Sequence, residues 1–159
     1  MRLNPSSTST RTFVLVPAAV LLEQALARRP IRAAWLPLLA WGYLQYKLVG
    51  HERVRRAGGP PGMSQGMPER LITDGIYSHT RNPMYLGHII FLAGLTLTTR
   101  SPLALACTAA AIPWFDARAA KDEARLKARF GTEYETYARK VPRWLPLGFR
   151  STTTEPREP

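Results

Sequence analysis

The sequence predicts an all-α protein. The expected architecture is an integral membrane helical bundle of about four transmembrane helices, arranged as two hairpins, with a cytoplasmic amphipathic C-terminal helical segment. Three observations lead there. Four apolar segments, at 12–27, 33–49, 83–99 and 102–115, are separated by breaks rich in proline or glycine. If all four span, eighteen of the 22 Lys/Arg fall on the side that carries both termini and only four on the other. Beyond the fourth segment, Leu126, Phe130, Tyr134, Tyr137 and Val141 recur at steps of four, four, three and four, which is one apolar stripe along a helix.

A chain of 159 residues is one domain by length. We expect it at 12–150, with the core motifs at 69–146, between polar termini at 1–11 and 151–159 that read as disordered. The formal charge of +11 asks for an anionic partner, either nucleic acid or an anionic lipid surface. The mean hydropathy of −0.17 reads as soluble. That average misleads, because the polar residues gather before Arg81 and after Phe115. No recognised nucleic-acid motif is present, and the apolar runs are too long for such a binder, so membrane lipids are the expected partner. Cys107 is the single cysteine, which excludes an internal disulfide or a thiolate metal cluster. Its apolar surroundings suggest a small buried hydrophobe. No small-residue cleavage site follows the first apolar run convincingly, so no cleavable leader is expected.

Taken in order, the first segment contains Pro17 and Glu23 and ends at Arg28-Arg29-Pro30. The second carries Trp35, Trp41, Tyr43 and Tyr46. Each is slightly short of the ~20 residues that cross a bilayer, and the Pro-containing turn between them reads as a helical hairpin. Residues 51–74 read as a loop, broken by Gly58-Gly59-Pro60-Pro61-Gly62. Asn82-Pro83 starts the third segment. Pro at the first helical position loses no bond, and the Asn82 side chain is expected to cap the backbone behind it. Ser101-Pro102 repeats that signal for the fourth, in which Pro113 should kink the helix or end its regular bonding. Gly131 divides the amphipathic stripe, and Thr132-x-x-Glu135 reads as a capping box.

Two constellations carry chemistry. The stretch 75–87, GIYSHTRNPMYLG, joins Tyr77, His79 and Arg81 to the start of an apolar helix, whose positive dipole end suits an anionic group. After the fourth segment come Arg118, Asp122 and Glu123. Arg118 and Asp122 lie four apart on one helix face, and a surface ion pair is the plain reading of them. The hairpin between the two constellations is short, so Asn82 and Tyr85 should face Asp122 and Glu123. His79 and His88 have no third ligand at suitable spacing, so no metal site is expected. Arg53, Arg55 and Arg56 read as lipid-headgroup contacts or topology signals. Tyr134 and Tyr137 read as packing for the tail helix.

From about Glu69 to Pro146, roughly half the chain, the pattern G-x-Y-x-x-x-R-N-P-M-Y-x-G, a short hairpin, then D-E-x-x-L-x-x-x-F-G-x-x-Y-x-x-Y-x-x-x-V-P-R-x-L-P resembles the isoprenylcysteine carboxyl methyltransferase family. The phospholipid N-methyltransferases are its wider kin. The resemblance implies an integral membrane enzyme that moves a methyl group from S-adenosylmethionine to a lipophilic acceptor. By position it implies that Leu71 and Ile72 line the adenosyl pocket and that Tyr77 lies against the cofactor. Arg81, Asn82, Pro83, Met84 and Tyr85 stand at the family's R-H-P-x-Y motif. Asp122 or Glu123 would bind the cofactor's polar groups, where the family has Glu-Glu, and Arg118 would orient a substrate carboxylate. Asn82 replaces a histidine, and an amide does not act as a base near neutral pH. A carboxylate acceptor needs no base and an amine does, so the sequence leans towards a carboxylate. The alternatives are a phospholipid or amine N-methyltransferase, and a non-catalytic membrane protein that retains the fold. The basic residues put both termini and the active site in the cytoplasm.

Overall fold

The computed structural model describes residues 7–60 and 66–145. Among them the chain is all helix and turn, with no strand. The expected disorder at 1–6 and at 151–159, and Pro146 of the motif, lie outside the described residues.

Helix α1 runs Thr8–Ala27 and includes a π-helical stretch at Arg11–Leu15. It begins four residues before the apolar segment, so residues 8–11 are helical where disorder was expected. It is long and apolar enough to cross a membrane. It stops at Arg28, which takes the left-handed conformation usual for a helix-ending glycine. After a 3-10 turn at Ala33–Trp35, α2 runs Leu36–Ala57. Here the expected loop was placed too early, because His51 to Ala57 continue the helix. The break comes only at Gly58, at φ +67. The returning chain closes that end: the amides of Glu69 and Arg70 both donate to the Ala57 carbonyl.

A 3-10 turn at Gly75–Ser78 leads into α3, Pro83–Thr99, which matches the third apolar segment. Ser101 caps α4 by accepting from the Ala104 amide, as its sequence predicts. Helix α4 runs Pro102–Phe130 without ending at Pro113. That proline removes one backbone donor, and the turns on either side hold the helix. Gly131, at φ +53, then folds α5, Thr132–Lys140, back on α4. The cap position falls on Gly131, not Thr132, with no side-chain cap, and Glu135 pairs with Lys127 at 2.8 Å. The capping box is therefore not formed.

The helices do not pair as two sequential hairpins. The most extensive packing is α2 on α3, and three glycines set it. A Cβ on Gly87 would lie 2.9 Å from the Gly42 carbonyl oxygen, and one on Gly94 would lie 2.6 Å from the Leu39 nitrogen. Backbone meets backbone there, which is how helices associate where apolar burial gives little drive. Helix α1 crosses this pair. Val20 packs with Leu95 and Ala104, and Phe13 sits among Tyr43, Tyr46, His88 and Phe91. Glu23 and Gln24 of α1 bond Ser101 and the Thr99 carbonyl at the α3–α4 turn. The outer faces carry exposed Leu22, Leu26, Trp41, Leu44, Leu48, Leu105, Ile112 and Trp114.

Candidate functional site

The site starts at the first turn of α3. Asn82 occupies the cap position but makes no side-chain cap. Its Nδ2 instead donates to Glu123 Oε1 at 2.8 Å and to the Arg143 carbonyl at 3.4 Å. Bonds to an ionised acceptor are about twice as strong as neutral ones, whereas a cap contributes about 1 kcal/mol. The carboxylate therefore takes the amide.

Glu123 collects further donors. Arg143 reaches it with a fork, Nε to Oε1 and Nη2 to Oε2, both at 3.1 Å. Arg81 Nη2 lies 3.3 Å from Oε2. The other edge of Arg143 donates to Asp116, at 3.2 and 3.3 Å, and Trp144 Nε1 joins it at 2.9 Å. These two donors, Trp144 first, hold the Asp116 carboxyl below its ordinary range, and Glu123 raises the Arg143 guanidinium. Backbone bonds hold the same strap, residues 141–145 after α5: the Arg81 amide donates to the Pro142 carbonyl, and the Thr80 hydroxyl to that of Arg143.

One residue along, Asp122 accepts from the Tyr85 hydroxyl at 2.5 Å. Arg118 Nε donates to that same hydroxyl oxygen at 3.3 Å, and the Arg118 guanidinium lies over Trp114. Arg118 and Asp122 do share a face, as their spacing predicts, but Tyr85 bridges them. The two polar clusters thus meet as the sequence suggests.

The remaining expected residues lie around this network. Pro83 is buried and its carbonyl accepts from Gln45; the Met84 carbonyl bonds His88 Nδ1. Leu71 packs with Tyr134, Tyr137 and Val141, while Ile72 and Tyr77 line a separate cleft of about 280 Å³ with Trp41, Gln45 and Leu48. The structure does not bring Leu71 and Ile72 together on one wall. Tyr137 donates to the Tyr77 carbonyl at 2.7 Å, and burial raises the Tyr77 phenol. The apolar stripe is thus one cluster, and it docks on the segment that carries Leu71 and Tyr77.

The pattern of the family "Phospholipid methyltransferase" matches residues 54–132. Over that span, just under half of its length, the chain is similar to the phospholipid methyltransferases. Over 78 residues the chain is 35% identical to protein-S-isoprenylcysteine O-methyltransferase of Schizosaccharomyces pombe, covering 48% of this chain and 33% of the relative. It is 38% identical over 79 residues to a probable protein-S-isoprenylcysteine O-methyltransferase of Oryza sativa subsp. indica, covering 49% and 41%. It is 34% identical over 80 residues to protein-S-isoprenylcysteine O-methyltransferase B of Arabidopsis thaliana, covering 49% and 40%. The chain therefore spans about a third to two-fifths of the length of these relatives. No solved structure matches it.

The matched span contains Arg81, Asn82, Tyr85, Arg118, Asp122 and Glu123 but ends before residues 141–145, which close on them. Sequence reasoning missed Arg143, Asp116 and Trp144. The V-P-R-x-L-P string was the available signal, but nothing local says which carboxylate an arginine twenty residues downstream will find. Arg53 is a correction. It is buried at 8% exposure, so it is no headgroup contact. Arg55 and Arg56 pair with Glu52 and Asp74.

Proposed function

We propose that the chain is an S-adenosylmethionine-dependent membrane methyltransferase with a lipophilic acceptor, a carboxylate being favoured. The observation that carries this reading is the convergence of Arg81, Asn82, Tyr85, Arg118, Asp122 and Glu123 at the start of α3. The residues fit the donor. Arg81 Nε is buried with no hydrogen-bond partner among the described residues, which suits a ligand carboxylate. Asp122 suits a hydroxyl or ammonium group. The family match supports the chemistry, and the relatives' names support an O-linked acceptor.

When bound, the donor supplies a methyl group already activated by the charge on its sulfur. The protein's part is alignment. Tyr85 and Asp122 would hold the donor's polar groups, and the α3 N-terminus adds a positive dipole end. Arg118, steadied by Trp114 and Tyr85, would orient an anionic acceptor in line with the methyl carbon. No side chain has to remove a proton from a carboxylate. An N-methyltransferase acting on a phospholipid amine is the second reading, favoured by the family's description.

The apolar outer faces of the bundle support a membrane setting. We read the helices as four spans with both termini and the site on the cytoplasmic side, from the Lys/Arg distribution. One experiment tests site and orientation together. Labelled S-adenosylhomocysteine added to sealed inside-out vesicles should bind, and in right-side-out vesicles it should bind only after detergent. An absence of binding at millimolar ligand in detergent overturns the enzyme reading; equal binding in both sealed preparations overturns the orientation.

A further inference from the structure

Glu123 belongs to the acidic pair expected to hold the methyl donor, yet the protein itself occupies its carboxylate. Oε1 accepts from Asn82 and Arg143, and Oε2 accepts from Arg143 and lies 3.3 Å from Arg81. A carboxylate offers about four lone-pair directions, and here four donors converge on it. Its side chain is only 11% exposed. Asp122 is engaged less. Among the described residues, its Oδ2 accepts from Tyr85 and its Oδ1 lies 3.8 Å from Arg125.

Arg143 is the centre of this arrangement. Its fork holds Glu123, and its other edge holds Asp116, two turns earlier on α4. Its own carbonyl accepts from Thr80 and Asn82. One residue therefore fixes the strap to α4 and to the turn before α3 at once. We propose that Arg143 is a positioning residue of the donor site. By clamping Glu123 it fixes Asn82 and Arg81, and it leaves Asp122 with Tyr85 as the carboxylate that touches the donor. This rests on the methyltransferase reading above. Lysine does not replace Arg143 in this role, because a point charge lacks the planar fork that meets two carboxylates.

The test is isothermal titration of the full chain in detergent with S-adenosylhomocysteine, well below the unfolding midpoint. Arg143→Ala should weaken binding about tenfold, the size expected for losing charged hydrogen bonds that order a site. Arg143→Lys should weaken it at least about threefold. In a Glu123→Gln background, Arg143→Ala should cost less than about twofold, because the two act through one contact. A loss of stability alone would not produce that coupling. Affinity within twofold of wild type in Arg143→Ala, or in Arg143→Lys if the alanine variant does not fold, overturns the proposal. Full additivity with Glu123→Gln overturns it as well. No binding by the wild type overturns the donor site and this proposal with it; binding by the wild type with an indifferent Arg143 overturns only the latter.

Discussion

Tyr134 and Tyr137 hold the tail against the rest of the molecule, buried at 4% and 7% exposure. Burial raises both phenols, Tyr134 to about 12, with Glu123 adding to the shift. The unfolded chain's tyrosines ionise from about pH 10. A phenol kept neutral in the fold therefore adds stability that is intact below pH 10 and is lost as pH rises towards 12. The unfolding midpoint should fall across that window, and Tyr134→Phe should make the fall shallower. An unchanged slope in the variant would contradict this placement. The tyrosines were legible in the sequence because their spacing follows the helix period. The Asn82 side chain was not. Its position before proline announces a cap, whereas a carboxylate 41 residues away claims its amide, and that competition has no local signature.

At the scale of elements, the α2–α3 pair is the firmest interlock. A Cβ on Gly87 would meet the Gly42 carbonyl oxygen at 2.9 Å and the Tyr46 nitrogen at 3.0 Å. Both neighbours are backbone, so no rotamer change relieves the contact. Gly87→Ala should cost about 1–3 kcal/mol, as forced insertion into a packed core does. Thermal unfolding in detergent checks it, and an unchanged midpoint would show that the helices separate without penalty. The apolar segments were legible as helices. Their ends were less so, because charged and polar residues such as His51, Glu52 and Arg53 continue α2 past its apolar run. The pairing was not legible: sequence order suggests α1 against α2, while small residues bring α2 against α3.

At the scale of the whole molecule, the two ends of α3 are fixed by different means. At one end Asn82 and Arg81 are tied to α4 and the strap. At the other, Glu23 and Gln24 of α1 bond the turn that holds Thr99 and Ser101. The polar latch at that second end explains why a glutamate sits in the first apolar segment, which composition alone left without a partner. Between the two ties run the 17 residues of α3, about 25 Å of helix. A typical hydrocarbon core is about 30 Å thick. In the four-span arrangement proposed above, a helix pinned at both ends would have little freedom to tilt, so the surrounding lipid would adapt by thinning locally. Reconstituted protein should therefore unfold at a higher temperature in bilayers of shorter acyl chains, and a preference for longer chains would contradict the spanning arrangement. In a cell, the same mismatch would sort the protein towards its thinnest membranes.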